Sequence, residues 1–136
     1  KAHEFPDTKV FITGVYAKTS VKDLLEEAKL NNTFGKDLLE IDYLAGNTIE
    51  NVISTFRLLR REPLLTRVLI ISNDYHILRI KVITEYLYND KQKLDFYFWG
   101  IKTDYSQWNN IKKAYSEVFK LLRSLVFLVF SGPSIE

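Results

Sequence analysis

The stretch Arg67 to Arg79, R-V-L-I-I-S-N-D-Y-H-I-L-R, constrains the fold more than any other part of the chain. Val68 to Ile71 is uncharged, aliphatic and does not alternate, which fits a strand covered on both faces in a parallel sheet. Polarity then changes within one residue. Ser72, Asn73, Asp74, Tyr75 and His76 stand together, ahead of a helical pattern that includes Arg79. A buried strand that runs through a polar turn into a helix is how α/β proteins build sites at the carboxyl edge of a sheet. The expectation is a site at this turn.

The rest of the chain alternates in the same way. Residues 1–5 read as the end of a helix and Pro6-Asp7-Thr8 as a turn. Lys9 to Thr13 reads as a strand closed by Gly14. A helix capped by Thr19 or Ser20 follows, with Val21, Leu24, Leu25 and Ala28 at helical spacing; Asn31-Asn32 ends it and Phe34-Gly35 is loop. Leu38 to Ile41 is a short strand. Ile49, Val52, Ile53, Phe56 and Leu59 form the inward stripe of a second helix, which Pro63 ends. The helix carrying His76 is expected to run to about Asn89, and Asp90 to Lys93 is a polar turn. Leu94 to Trp99 is an aromatic strand stopped by Gly100. The last helix places Ile111, Ala114, Tyr115, Val118, Phe119 and Leu122 on one face. Leu125 to Phe130 is apolar on every side and is expected to be buried. This order predicts one α/β domain over 1–136, with a parallel sheet and helices on both faces.

Composition narrows the function. The 136 residues carry a net charge of +2, from nineteen basic and seventeen acidic side chains. So balanced a chain argues against nucleic acid as a partner. Arg57, Arg60 and Arg61 fall at the end of a predicted helix, where they suit its dipole and face water. The absence of cysteine excludes disulfides, thiolate catalysis and cysteine-bound metal. His3 and His76 are the only histidines and no acid cluster has ligand spacing, so no metal site is expected. The longest apolar run, Leu125 to Phe130, is far short of the ~20 residues that span a bilayer. The chain opens on Lys1-Ala2-His3-Glu4-Phe5 without a methionine and reads as a fragment, with membrane attachment through a missing N-terminal segment left open.

Two constellations can carry chemistry. Asn47-Thr48-Ile49-Glu50-Asn51 opens a helix. Asn47 and Glu50 have capping-box spacing, which accounts for both without any ligand. Asn51, one turn on, is not explained by capping, and the helix start after Gly46 offers amides to a polar or anionic group. In the second constellation, capping explains Asp74 and pairing with a nearby acid explains Arg79. Yet His76 and Arg79 share one face of the first helical turn. An imidazole moves protons near neutral pH and a guanidinium grips a carboxylate or phosphate. His76 is the proton-transfer candidate, Asp74 its polar neighbour and Arg79 the anion clamp. Ser72 lacks a G-x-S-x-G elbow, and neither a P-loop nor a G-x-G-x-x-G is present. Tyr105 and Trp108 are able to wall a pocket, though aromatic loop residues more often cover core edges.

A-G-N-T-I-E-N-V (45–52), followed some twenty residues later by V-L-I-I-S-N-D-Y-H-I-L-R (68–79), resembles the bacterial domain of unknown function shared by YdcF, SanA and ElyC. Val10-Phe11-Ile12-Thr13-Gly14 is similar to that family's V-I-x-S-G-G strand end. The resemblance implies a Rossmann-like three-layer α/β/α domain with a mainly parallel sheet. It also implies a pocket of Thr13, Gly14, Asn47, Thr48, Glu50, Asn51, Asn73, Asp74, Tyr75, His76 and Arg79. It brings S-adenosylmethionine as a candidate cofactor, a link to cell-envelope biogenesis, and a place in the bacterial cytoplasm or at the inner membrane. Val15 stands where the family has a second glycine, and the family's first strand has no counterpart here.

The expected function is binding of a small molecule, nucleotide-like or anionic, in a polar pocket at the carboxyl ends of the strands, with catalysis left open. The alternative is a non-catalytic envelope factor whose apolar Leu125 to Phe130 segment docks on a membrane-anchored partner.

Overall fold

The computed structural model describes residues 8–15, 18–20, 22, 23, 26, 39–88 and 93–132. The expectations for 1–7, for Val21, Leu24, Leu25 and Ala28, for 31–35, for Leu38 and for 89–92 lie outside them. The described elements are β1 (Val10–Ile12), β2 (Leu39–Ile41), α1 (Thr48–Arg61), β3 (Arg67–Asn73), α2 (Asp74–Leu87), β4 (Asp95–Ile101) and α3 (Trp108–Ser131). The chain is mixed α/β, with short parallel strands in two small sheets. It divides into two compact units, Lys1–Thr55 and Phe56–Glu136.

In the first unit β1 pairs parallel to β2, from Val10 opposite Leu39 to Ile12 opposite Ile41. The Asp42 N–H extends the ladder by donating to Ile12 O at 2.8 Å. Gly14 then turns the chain with φ +72°, a conformation that costs a side-chain-bearing residue ~1–2 kcal/mol. Ser20 is the cap among the two expected candidates: its Oγ accepts from Asp23 N–H, and Asp23 Oδ2 accepts from Ser20 N–H. α1 begins in this unit and ends in the second; it has the expected stripe, with Val52, Phe56 and Leu59 buried and Ile49 and Ile53 half-buried. Leu58 joins the buried set.

In the second unit β3 and β4 pair parallel over seven residues, from Arg67 opposite Asp95 to Asn73 opposite Ile101. β4 runs past Gly100, which does not stop it. Gly100 lies under the start of α2, where an added Cβ would come within 3.1 Å of Asp74 Cα, so the glycine serves close packing and not a turn. On the same face of the sheet Phe96 meets Phe56 and Tyr88 edge-on and lies beside Phe98.

Three expectations are corrected here. β3 is not covered on both faces: burial alternates along it, and Leu69 and Ile71 are 58% and 57% exposed beside exposed Tyr97 and Trp99. A strand with apolar side chains on both sides shows no alternation in sequence even where one side is uncovered. On α3, Tyr115, Val118, Phe119 and Leu122 are exposed, and Glu117, Ser124 and Leu128 form the inward stripe. The helix carries two opposite stripes of 3.6 period, and the one turned inward is the less apolar of the two. Ser124 is accommodated there because its hydroxyl donates to Lys120 O at 2.8 Å. Finally, of Leu125 to Phe130 only Leu128 is fully buried, with Val126, Phe127, Val129 and Phe130 exposed. No described helix is long and apolar enough to cross a membrane.

Candidate functional site: a cationic cleft around a buried carboxylate

β3 passes directly into α2 without a loop. Asn73 occupies the N-cap position with φ −62° and ψ 147°, yet its side chain does not cap; its Nδ2 donates to the Tyr75 hydroxyl at 3.1 Å. Asp74 is the first helical residue, where an acid suits the dipole, and its Oδ1 accepts from Tyr75 N–H at 2.8 Å. The remaining contacts of Asp74 reach the loop after β4. Thr103 N–H donates to Oδ2 at 3.1 Å and the Tyr105 hydroxyl donates to Oδ1 at 2.8 Å. The Thr103 side chain, with help from the Thr103 and Tyr75 N–H groups and the Tyr105 hydroxyl, outweighs desolvation and brings the Asp74 pKa down to about 2. The same bond raises the Tyr105 pKa. Asp74 is thus a permanent anion that ties two segments together. No bond joins it to His76, which the sequence made its neighbour.

His76 and Arg79 do meet, one helical turn apart, and the acid between them is Glu117 of α3. Glu117 is 7% exposed. Its Oε2 lies 2.7 Å from His76 Nδ1 and 2.9 Å from Arg79 Nε; its Oε1 accepts from Lys120 Nζ at 2.9 Å. Arg79 Nη2 also approaches His76 Nδ1, at 3.0 Å. With a carboxylate oxygen at 2.7 Å, Nδ1 must carry its hydrogen and donate it to Glu117. It then has no lone pair for Arg79, whose guanidinium is held by the charge of Glu117. The Arg79 Nε–H is not aligned on that oxygen, so the contact is an ion pair without a well-formed hydrogen bond. Burial pushes the Glu117 pKa up, but Lys120, His76 and Arg79 together outweigh it and leave the carboxyl below its ordinary range.

The consequence is chemical. A buried carboxylate that takes the Nδ1 hydrogen fixes the tautomer and leaves Nε2 as the ring's acceptor. His76 lines a cleft of about 500 Å³ with Asn73, Tyr75, Ser116, Glu117 and three lysines, Lys112, Lys113 and Lys120. Lys112 lies 5.9 Å from the centre of the Trp108 ring. Neither Lys112 nor Lys113 has an acid partner among the described residues. The cleft therefore joins a proton acceptor of fixed tautomer to cations available for a ligand. Among the described residues no cluster of three or more His, Asp or Glu could hold a metal ion.

Glu117 escaped the sequence reading because the more apolar side of α3 drew the inward stripe to Tyr115 and Phe119. Its signal was present: Glu117 is the only acid on a helix that also carries Lys112, Lys113, Lys120 and Arg123. Trp108 begins α3 and does not belong to the preceding loop, and Trp108 and Tyr105 are both exposed.

The other expected site residues lie in the first unit. Asn47 caps α1 as the spacing predicted. Its Oδ1 accepts from Glu50 N–H at 3.0 Å, and its Nδ2 donates to Glu50 Oε1 at 2.6 Å. Glu50 Oε2 accepts from Gly46 N–H at 2.6 Å. Thr48 is buried. Asn51 faces the end of β1: Thr13 Oγ1 lies 3.0 Å from Asn51 Oδ1 and 3.2 Å from Asp42 Oδ2, with one hydrogen to share between them. A Cβ at Gly14 would sit 3.1 Å from Asn51 Nδ2, so glycine here also serves close approach. Thr13, Gly14 and Asn51 are brought together, as are Asn47 and Glu50.

Comparison with protein-family models, with curated proteins and with solved structures finds no match.

Proposed function

We propose that this protein binds a small ligand through an anionic group, in the cleft between the carboxyl end of β3, the first turn of α2 and the N-terminal half of α3. The observation that carries the reading is the pairing of a buried Glu117–His76–Arg79 hub with three lysines on one cleft wall. The hub fixes the geometry of His76, and Lys112 and Lys113 supply charge that no acid among the described residues neutralises. An oxyanion such as a phosphate or carboxylate meets both needs, since charge-assisted bonds to such groups are roughly twice as strong as neutral ones. His76 Nε2 is the atom to which a ligand proton would pass, because Nδ1 is engaged by Glu117.

The finer architecture we favour is a Rossmann-like three-layer α/β/α domain, supported by two parallel strand pairs and by β3–α2–β4 connectivity. The motif resemblance to the YdcF, SanA and ElyC domain favours S-adenosylmethionine or another nucleotide-like or anionic ligand, and a role in the bacterial envelope. S-adenosylmethionine would present its carboxylate to the lysines.

A thermal-shift screen tests the reading, because a ligand that binds only the folded state raises its midpoint by mass action. Anionic metabolites, nucleotides and S-adenosylmethionine are the panel. A member of the panel should raise the midpoint of the unmodified protein and lose its effect in Lys112→Gln/Lys113→Gln. A shift that survives this double change, or an unchanged affinity in His76→Ala, contradicts the assignment.

A further inference from the structure

α3 has a second apolar side, and its outward residues recur at helical spacing. Tyr115, Val118, Phe119, Leu122, Val126 and Val129 follow one another by three, one, three, four and three residues. All six are exposed, Tyr115 and Phe119 by 69% and 71%. They lie opposite Glu117, Ser124 and Leu128, which face the core. An apolar stripe opposite the buried one calls for a partner of its own, and among the described residues none covers it. At roughly 100 Å² apiece the six expose on the order of 600 Å². That is at the upper end of what a monomer leaves open and close to the ~800 Å² per partner of a stable interface.

The pattern of this stripe selects the partner. Leu122 lies at its centre: Tyr115 and Val129 are seven residues to either side, and Val118 and Val126 four. An antiparallel copy crossing at Leu122 therefore sets Tyr115 of one chain against Val129 of the other, large against small. Charge points the same way. Lys112, Lys113, Lys120 and Arg123 all precede Ser124, and the segment from Ser124 to Ser131 has no charge. Lys113 and Lys120 face the cleft on the other side of α3, but Lys112 and Arg123 border the stripe; antiparallel packing lays these two on the neutral half of the other helix, whereas parallel packing would set each against its own copy. We infer that the protein forms a two-fold homodimer through the outward face of α3, with Leu122 on the axis. Such an interface is isologous: the same patch serves both copies.

The chain has no cysteine, so one introduced thiol reports on one position. Sedimentation equilibrium of the unmodified protein should give a dimer. Leu122→Glu should weaken association by at least ~100-fold, as loss of a central anchor does, with an unchanged circular dichroism spectrum. Under mild oxidation Leu122→Cys should give a covalent dimer and Val129→Cys should not. A protein that stays monomeric at several hundred micromolar overturns the inference. So does cross-linking through Val129→Cys as well as through Leu122→Cys, which would mean parallel packing. Monomeric protein that binds vesicles containing phosphatidylserine through this face also overturns it, since a lipid surface would then be the partner.

Discussion

Two helix starts in this protein look alike in sequence and behave differently in structure. At Asn47–Asn51 the polar side chains satisfy one another and their own backbone: Glu50 takes hydrogen bonds from Asn47 and Gly46, and Asn51 takes one from Thr13. At Asn73–Arg79 the polar residues gather around a carboxylate from a distant helix, and the surrounding lysines retain capacity for something else. Polar density alone is therefore a poor guide to a site. What separates the two is whether donors and acceptors close upon themselves.

The comparison breaks most easily at its charged centre. Glu117→Ala removes the shared partner of His76, Arg79 and Lys120 and leaves Arg79 buried without an opposing charge. It should cost about 3–5 kcal/mol in a urea melt. The matching change at the other helix start, Glu50→Ala, removes an exposed cap and should cost about 1 kcal/mol. Equal losses would mean that the two regions are built alike.

A smaller effect sharpens the functional half. Lys112→Gln and Lys113→Gln should each weaken ligand binding about tenfold, or ~1.4 kcal/mol, while moving the unfolding midpoint little, because neither lysine holds the fold together. Thr84 is 2% exposed and its hydroxyl has no hydrogen-bond partner among the described residues. Thr84→Val should therefore be neutral or stabilise by up to about 1 kcal/mol; a marked loss would reveal a partner for that hydroxyl.

The smallest effect is the acid titration of Asp74. Its pKa falls from the ordinary 3.8 to about 2 on folding. A depressed carboxylate contributes stability that is full above its unfolded value and is lost as pH falls through the folded one. Asp74→Asn should therefore lower stability at neutral pH and flatten its decline between about pH 4 and pH 2. The contacts are open to solvent, so the change is modest. A decline of equal steepness in both proteins would show that another group controls acid unfolding.

Much of the frame was legible in the sequence. Among the described residues the strands and helices fall close to where period and turn residues place them, β4 running past its expected stop at Gly100, and Asn47 with Glu50 forms the predicted cap because capping is local. The misreadings share one cause. Periodicity shows that a face is apolar and does not show whether anything lies against it. The runs at Val68 to Ile71 and at Tyr115, Val118, Phe119 and Leu122 both read as buried for that reason, and both keep exposed apolar side chains. The candidate site was half legible. His76 and Arg79 are neighbours on one helix, and their spacing announced them. Glu117 joins them from 41 residues away, through packing that no local pattern encodes.

The central claim is that the cleft beside α3 receives an anion and the start of α1 does not. An amide-resolved NMR titration of the full chain with inorganic phosphate tests it directly. Saturable shifts should appear at Asn73, Tyr75, His76, Lys112, Lys113 and Ser116, with Asn47 to Asn51 unmoved. Shifts centred on Asn47 to Asn51, or none at the cleft up to tens of millimolar phosphate, would contradict it.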